Sequence, residues 1–350
     1  MTCITVKMVL LVACLFKLSA GAQAEDHKTV SYQGDGSNLQ KGIDSSESGA
    51  TLSCDAKRQI ELASPLVIRK AITLRGLNAA LPRSLGKTSL VVVESPGVTI
   101  CDCEFHGNYD SVSQKDRAPL VRIQQGDFKV ERCMFFDGSK DGVNITPAEG
   151  DARRDIIGGV IRDIKAFRMG RDAVSISGGN NGLKVRNVTV ENVRLEKSYH
   201  RGAVEVSDGT DNISVKNVYA EEAVYAIDVQ DHGKPSAPNT NVTIENIEAV
   251  RCKHILRTAN GPRGHENLTL RNFSGRECAL PLQISHTRHV RIEQLTILAH
   301  TDAKLPPIRL ERCEDVVLVG VTVQSKSFAD NPIRIVKSTD VSVTGLNRRD

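Results

Sequence analysis

Apolar residues recur along this chain in short alternating runs, and the runs themselves repeat. One six-residue phrase returns as VENVRL (190–195), VKNVYA (215–220), IENIEA (244–249), LRNFSG (270–275) and IEQLTI (292–297). Weaker copies read LRGLNA (74–79), ICDCEF (100–105), VERCMF (130–135), IRDIKA (161–166) and LVGVTV (318–323), with a last trace at 343–346. Their third positions, from Gly76 to Gly345, are spaced 22 to 31 residues apart. Between them lies a second phrase: PLVRIQ (119–124), DGVNIT (141–146), DAVSIS (172–177), GAVEVS (202–207), YAIDVQ (225–230), HILRTA (254–259), LPLQIS (280–285), PPIRLE (306–311) and NPIRIV (331–336). Val, Ile or Leu usually fills its third and fifth positions, the alternation of a half-buried strand.

Strands this short cannot bury an apolar face alone, so successive repeats must stack and share one core. No helical period intervenes, the leucine spacing of a leucine-rich repeat is missing, and a propeller needs a longer period. The pattern predicts a parallel β-solenoid. Eleven copies at a strand separation of about 4.8 Å make a rod of roughly 50 Å. Asn192, Asn217, Asn246 and Asn272 share one repeat position and are expected to form an internal amide ladder at a turn. Residues 28–346 resemble the right-handed parallel β-helix superfamily of pectate lyases and polygalacturonases. The resemblance implies an all-β, right-handed parallel β-helix of about eleven coils with a short N-terminal capping helix. GSNLQKGIDS (36–45) fits that helix and ATLSC (50–54) the first strand.

The ends and the composition refine this picture. Residues 1–24 have Lys7, the apolar run MVLLVACLF and a small-x-small AQA before Glu25, the marks of a signal peptide. The run is too short to span a bilayer and no other segment approaches that length, so no transmembrane segment is expected. LVAC (11–14) resembles a lipoprotein processing site, but it comes early and apolar Leu15-Phe16 follow it. A secreted or periplasmic chain with a single domain over 25–350 is the expectation. The formal charge is +4, and residues 1–24 hold Lys7, Lys17 and no acid, so the remainder carries about +2. That is no electrostatic footprint for nucleic acid. Of nine cysteines, seven follow residue 24, an odd number. Cys103/Cys133 and Cys252/Cys278 occupy equal positions on adjacent coils, where a disulfide or a buried thiol stack would fit; the odd number favours the stack. GLNRRD (345–350) follows the last copy without an evident cap. An open β-edge there would accept a C-terminal plug or a second subunit, giving a homo-oligomer.

Candidate chemistry gathers on the second phrase. Its fourth residues form a column: Arg122, Asn144, Ser175, Glu205, Asp228, Arg257, Gln283, Arg309, Arg334. Because Val204, Val206, Ile227 and Val229 point inward, these side chains point outward, and an outward residue is expected to be solvated. Glu205 and Asp228 then stand one coil apart, about 5 Å, with Arg257 on the next. Gln230 lies two residues along from Asp228. Asp208, Asp231 and His232 follow the strands; His200, Arg201, Tyr225 and His254 sit at or just before their starts. A carboxylate pair so close raises one pKa by repulsion and suits glycoside hydrolysis. Alternatively Glu205, Asp208, Asp228 and Asp231 offer oxygen ligands for Ca²⁺. The ion, or Arg257, would neutralise a uronate carboxylate while His232, His254 or Tyr225 removes the C5 proton. Arg201, Arg257, Arg309, His200, Gln230 and Gln283 would bind an anionic sugar chain. Simple pairing of acid with base on a solvated face is the plain alternative. Sequons such as those at Asn187, Asn212 and Asn241 follow from the repeat.

YAIDVQDHG (225–233) resembles the Tyr-x-x-Asp-Pro-His-Asp motif of mannuronan C5-epimerases. Tyr225, Asp228 and Asp231 match, whereas Val229 and Gln230 replace the proline and the histidine, so His232 or His254 would have to stand in. RDAVSISGG (171–179) and ILRTANGPRGHENLTLRNFSG (255–275) are similar to polygalacturonase strands, but Arg171 replaces the first aspartate of a pair. The resemblance therefore implies an enzyme acting on acidic polysaccharide, lyase- or epimerase-like on uronates. A glycoside hydrolase using Glu205 and Asp228 comes second. A non-catalytic carbohydrate-binding or surface β-helix comes third, and with 4% aromatics and no Trp it has few rings to stack on sugars.

Overall fold

The computed structural model describes residues 29–349 except 33–35, 84, 86, 151–152, 180–181, 233–236, 260–263, 303 and 329, with only the backbone of 37. The 1–24 segment read as a signal peptide lies outside the described residues. So do parts of the loops 147–155, 232–241 and 260–266. Among the described residues no helix is long and apolar enough to cross a membrane.

The repeat is a stack of parallel coils, a right-handed parallel β-helix. The second phrase builds one sheet of 11 strands, from Leu66–Ile68 to Ile333–Val336, each paired in parallel with the next. The first phrase builds the opposing wall, where later coils run as single long strands such as Val185–Ser198 and Thr210–Glu221. A continuous core of Val, Ile, Leu and Phe fills the space between them from Leu39 to Val323.

The third residue of the first phrase is left-handed in every coil. Residues 76, 102, 132, 163, 192, 217, 246, 272, 294, 320 and 345 all have φ between 51 and 69°. A Cβ makes that conformation costly, which is why Gly, Asn and Asp fill nine of these eleven positions. Arg132 and Gln294 are the exceptions. The turn closes around Val190 and Val193, both buried, so the asparagine projects from the convex side. The amide ladder is thus exposed, not internal as expected from sequence: Asn192 donates to Asp163 (2.8 Å), Asn217 to Asn192 (2.9 Å), Asn246 to Asn217 (2.9 Å) and Asn272 to Asn246 (2.8 Å). A second column at Asn187, Asn212, Asn241 and Asn267 is left-handed too, with bonds from Asn212 to Asn187 and from Asn267 to Asn241. Its asparagines head the sequons, so the turn accounts for them.

The helix Gly36–Ser45 covers the N-terminal end of the core with Leu39 and Ile43, one turn apart. Gln40 acts as a substitute strand: its Oε1 accepts from the Val67 N–H (2.8 Å) and its Nε2 donates to the Val67 carbonyl (3.0 Å). The edge of the 11-stranded sheet is covered in this way. Thr51–Cys54 is not the first strand, because Thr29–Tyr32 pairs alongside it in parallel. The seven cysteines of the described residues are free thiols, six of them buried. At the other end of the stack Ile335 is 48% exposed.

Asn217→Ala loses two ladder bonds and places a Cβ-bearing residue without a polar side chain in the left-handed region, a cost of about 2 kcal/mol. Asn217→Gly keeps the backbone and costs roughly 1 kcal/mol. Urea unfolding of the two variants should give that order; the reverse order would contradict the left-handed turn.

Candidate active site

Strand pairing sets the outward column of the 11-stranded sheet in one register. Arg122 pairs with Asn144, Asn144 with Ser175, Ser175 with Glu205, Glu205 with Asp228, Asp228 with Arg257, Arg257 with Gln283, and Gln283 with Arg309. Glu205 and Asp228 therefore share a station on consecutive coils. They are not solvated as the sequence reading expected. Glu205 is 2% exposed and Asp228 0%.

The cover is a layer of arginines. Arg201 Nη1 donates to Glu205 Oε1 (3.0 Å) and to Gln230 Oε1 (2.7 Å), and stands 3.8 Å from Asp228 Oδ2. Arg171 Nη2 reaches Glu205 Oε2 (3.3 Å), which also accepts from Ser175 Oγ (2.9 Å). Arg257 Nη2 donates to Asp228 Oδ2 (2.7 Å). These three arginine side chains remain 24–25% exposed. The acids are anchors beneath, and the guanidinium groups face outward. Burial pushes the Asp228 carboxyl up to about 6; Arg257 opposes the rise and Glu205 adds to it.

A second set of side chains lies at the corner where these strands begin. Asp141, Asp172, Tyr225 and His254 are all buried. Tyr225 Oη donates to Asp172 Oδ1 (2.8 Å), which also accepts from the Gly202 N–H (3.1 Å). Tyr225 reaches across the intervening coil because Gly202 has no side chain; a Cβ there would collide with the Tyr225 carbonyl and ring. Burial, with Glu205 and Asp141 nearby, holds Asp172 well above the usual carboxylate range. Burial also raises Tyr225. His254 Nδ1 donates to the Leu280 carbonyl (2.7 Å), and burial pulls the ring down to about 3. Tyr225 and His254, read from sequence as candidate bases, are thus sealed from solvent. Asp141, Asp172 and Arg171 were not read as site residues. Alternation offered a signal, since Asp172, Tyr225 and His254 share the parity of the inward residues of their strands.

A titratable group that meets solvent beside this layer, on the strand-end side, is His232. Its Nδ1 lies 2.7 Å from Asp208 Oδ2 and its N–H donates to Asp208 Oδ1 (2.9 Å). Burial tends to raise Asp208, but the side-chain and backbone hydrogen bonds from His232 prevail and hold it below its ordinary value. The Asp208 hydrogen bond in turn raises His232 above its ordinary 6.5. His232 and Glu205 line a cavity of about 490 Å³ together with Arg122, Lys140, Arg171 and Ser175.

The remaining predicted residues are more scattered. Gln230 is fixed to Arg201 as above, and His200 sits at the strand-start side, its Nε2 3.2 Å from Tyr109 Oη. Gln283 and Arg309 continue the row but do not line the cavity; Arg309 donates to Glu311 (2.6 Å). Asp231 is buried and its charge acts on His265. The four acids proposed for Ca²⁺ divide accordingly: Glu205 and Asp228 under arginines, Asp208 on His232, Asp231 toward His265. Among the described residues no group of three or more His, Cys, Asp or Glu is placed to hold a metal ion.

The fold is that of the pectin lyase-like β-helix proteins. Among solved structures the chain is similar to the A-module of a mannuronan C-5 epimerase from Azotobacter vinelandii, at 15% identity and a TM-score of 0.69, covering 91% of this chain and 95% of that one. It is also similar to a family 28 exopolygalacturonase from Yersinia enterocolitica (11% identity, TM-score 0.58, covering 92% and 78%). An alginate lyase from Paenibacillus sp. matches at 12% identity and a TM-score of 0.54, covering 91% and 99%. No protein-family description matches the chain. No curated protein matches it by sequence.

Asp228 gives a stability test. Its folded pKa exceeds the unfolded value, so its contribution is full below about 3.8 and is lost as pH rises through about 6. A shift of about two units corresponds to roughly 3 kcal/mol. Urea unfolding at pH 4 and pH 7 should show wild type losing about that much more stability than Asp228→Asn over the interval. Equal losses would show that the carboxyl is ionised throughout.

Proposed function

We propose that the protein is a secreted enzyme acting on an acidic polysaccharide, with lyase- or epimerase-like chemistry at a uronate unit. The observation that carries this reading is one cavity lined both by His232, which is paired with Asp208, and by the guanidinium groups of Arg122 and Arg171. Arg171, with Arg122 in the lining of the same cavity, offers guanidinium groups to a uronate carboxylate. Neutralising that carboxylate acidifies the C5–H bond next to it. His232 is oriented through Nδ1 by Asp208, leaving Nε2 to take the C5 proton. For elimination, the electron pair released at C5 forms the C4–C5 double bond while the C4–O bond breaks and the departing oxygen takes up a proton. For epimerisation, a proton returns to C5 from the opposite face.

The fold supports a glycan as substrate by analogy alone. Similarity to structures of a mannuronan C-5 epimerase, an alginate lyase and an exopolygalacturonase makes those polymers the first to test. The hydrolase reading needs Glu205 and Asp228 to meet water and a glycosidic oxygen, and their burial beneath arginines weighs against it.

Incubation with polymannuronate, polyguluronate and polygalacturonate should yield either an unsaturated, ultraviolet-absorbing product or exchange of C5 hydrogen with deuterated solvent. His232→Ala should lower kcat by about 10²–10⁴-fold. Because the base acts unprotonated and its pKa is raised, kcat/KM should climb with pH through a value above 6.5. Asp208→Asn should move that limb to lower pH as well as slow the reaction. New reducing ends without unsaturation, retained by His232→Ala, would refute the proposal and restore the hydrolase reading.

A further inference from the structure

Beside the cavity, at the starting edge of the same strands, lies a cleft of about 320 Å³ lined by Gln114, Arg117, Lys140, Arg171, His200 and Arg201. Among the described residues that line it there is no carboxylate. Arg171 and Arg201 are already engaged by Glu205 beneath them. Arg117 and Lys140 are different: among the described residues neither forms an ion pair or a side-chain hydrogen bond, and the Arg117 Nε is buried without a partner. Arg122, on the floor of the main cavity, is likewise without an ion pair there and has a buried, unpartnered Nε.

The segment that carries Arg117 is held in place from several directions. The Tyr109 ring stacks on Tyr199 with centroids 4.4 Å apart and planes 5° from parallel, and the Arg117 guanidinium lies 4.9 Å from the Tyr109 ring centre. Asn108 Nδ2 donates to the Leu85 carbonyl (2.6 Å) and the Pro82 carbonyl (3.2 Å). The Tyr109 N–H donates to the Asp137 carbonyl (3.0 Å). A cation left without a counter-charge on a fixed segment is preorganised for an anion supplied from outside.

We infer that this cleft is a second anion subsite: Arg117 and Lys140 bind an acidic group, carboxylate or sulfate, on a sugar unit neighbouring the one held in the main cavity. The inference rests on the reading of the groove as a site for acidic polysaccharide and adds a direction to it. Lys140 lines both the cleft and the cavity, so Arg117, Lys140 and Arg122 trace a path from the strand starts onto the sheet. The glycan crosses the strand-start edge to reach His232; it does not only follow the long axis of the stack.

The test is binding of length-graded oligouronates, and of sulfated oligosaccharides of matched length, by titration calorimetry in a His232→Ala background that prevents turnover. Affinity should rise with length once the cleft is filled, and Arg117→Gln should remove that rise, about tenfold for long chains, while the shortest binding oligomers change less than twofold. Arg117→Lys should recover part of the loss. Whichever series shows the Arg117-dependent rise identifies the group as carboxylate or sulfate. Equal affinities of Arg117→Gln and its parent at every length would overturn the subsite and leave the groove reading intact. A uniform loss at all lengths would also overturn it, assigning Arg117 a structural role. Length-dependent binding lost in Arg117→Gln, without turnover by the wild-type protein, would retain the subsite and remove the catalytic reading. Absence of binding by either series would overturn both.

Discussion

Parallel pairing in an unbroken register is the constraint from which everything else in this molecule follows. Side chains on a strand alternate between faces, so a slip of one residue in any coil would turn its valines outward and its polar row inward. The register is held from both sides. Buried Val, Ile and Leu fix the inner face, and a left-handed residue at one station of each coil fixes where the chain turns. The distance from turn to groove strand varies with loop length, yet Glu205 still meets Asp228, because the strands and not the loops set the alignment.

That alignment creates an electrostatic problem, and the arrangement of the groove is its solution. Two acids at one station on adjacent coils repel one another, and burial penalises each charge further. Arg171, Arg201 and Arg257, each in contact with at least one carboxylate, offset these effects in part, and burial still leaves Asp228 above its ordinary range. The arginines in turn are held flat over the sheet and lose the freedom that long side chains ordinarily keep. An anionic ligand, as proposed, would meet guanidinium groups whose ordering entropy was spent during folding. The same logic explains why Asp208 differs from Glu205: its partner is a histidine, so the pair it forms can accept a proton.

The fold was legible because it is written as repetition. Eleven copies of one phrase announced a stack that has about 12 turns, the N-terminal strands lying ahead of the first copy, and Asn192, Asn217, Asn246 and Asn272 marked the turn column. The position of Glu205 beside Asp228 followed from simple counting. Their burial did not, since it depends on Arg171 and Arg201: both stand immediately before a copy of the second phrase, but the alternation of the strand does not say that side chains from that place fold back over the acids. Tyr225 and His254 were misplaced for a more local reason. Proximity in sequence to the acids suggested a shared surface, whereas strand parity puts them with Ile227 and Leu256 on the buried side. The Tyr225–Asp172 bond spans two coils and depends on Gly202, a long-range contact that no short motif announces.

Low sequence identity to the similar β-helix structures fits this division of labour. Stacking demands only apolar residues at alternate positions and a turn residue that tolerates positive φ, so most of the chain can drift while the coils persist. Chemistry is then a property of a few stations. Here the histidine follows its strand at position 232, where the epimerase-like motif would have placed it two residues earlier, at the position of Gln230. Gln230 instead accepts from Arg201 and helps hold the guanidinium layer. If His232 is the base, as proposed, its displacement from the strand to its exit moves the reacting centre toward the strand-end side of the groove. The unpaired cations Arg117 and Lys140 lie on the strand-start side, and a chain of acidic sugars offers a spacing of charge that can satisfy both sides at once.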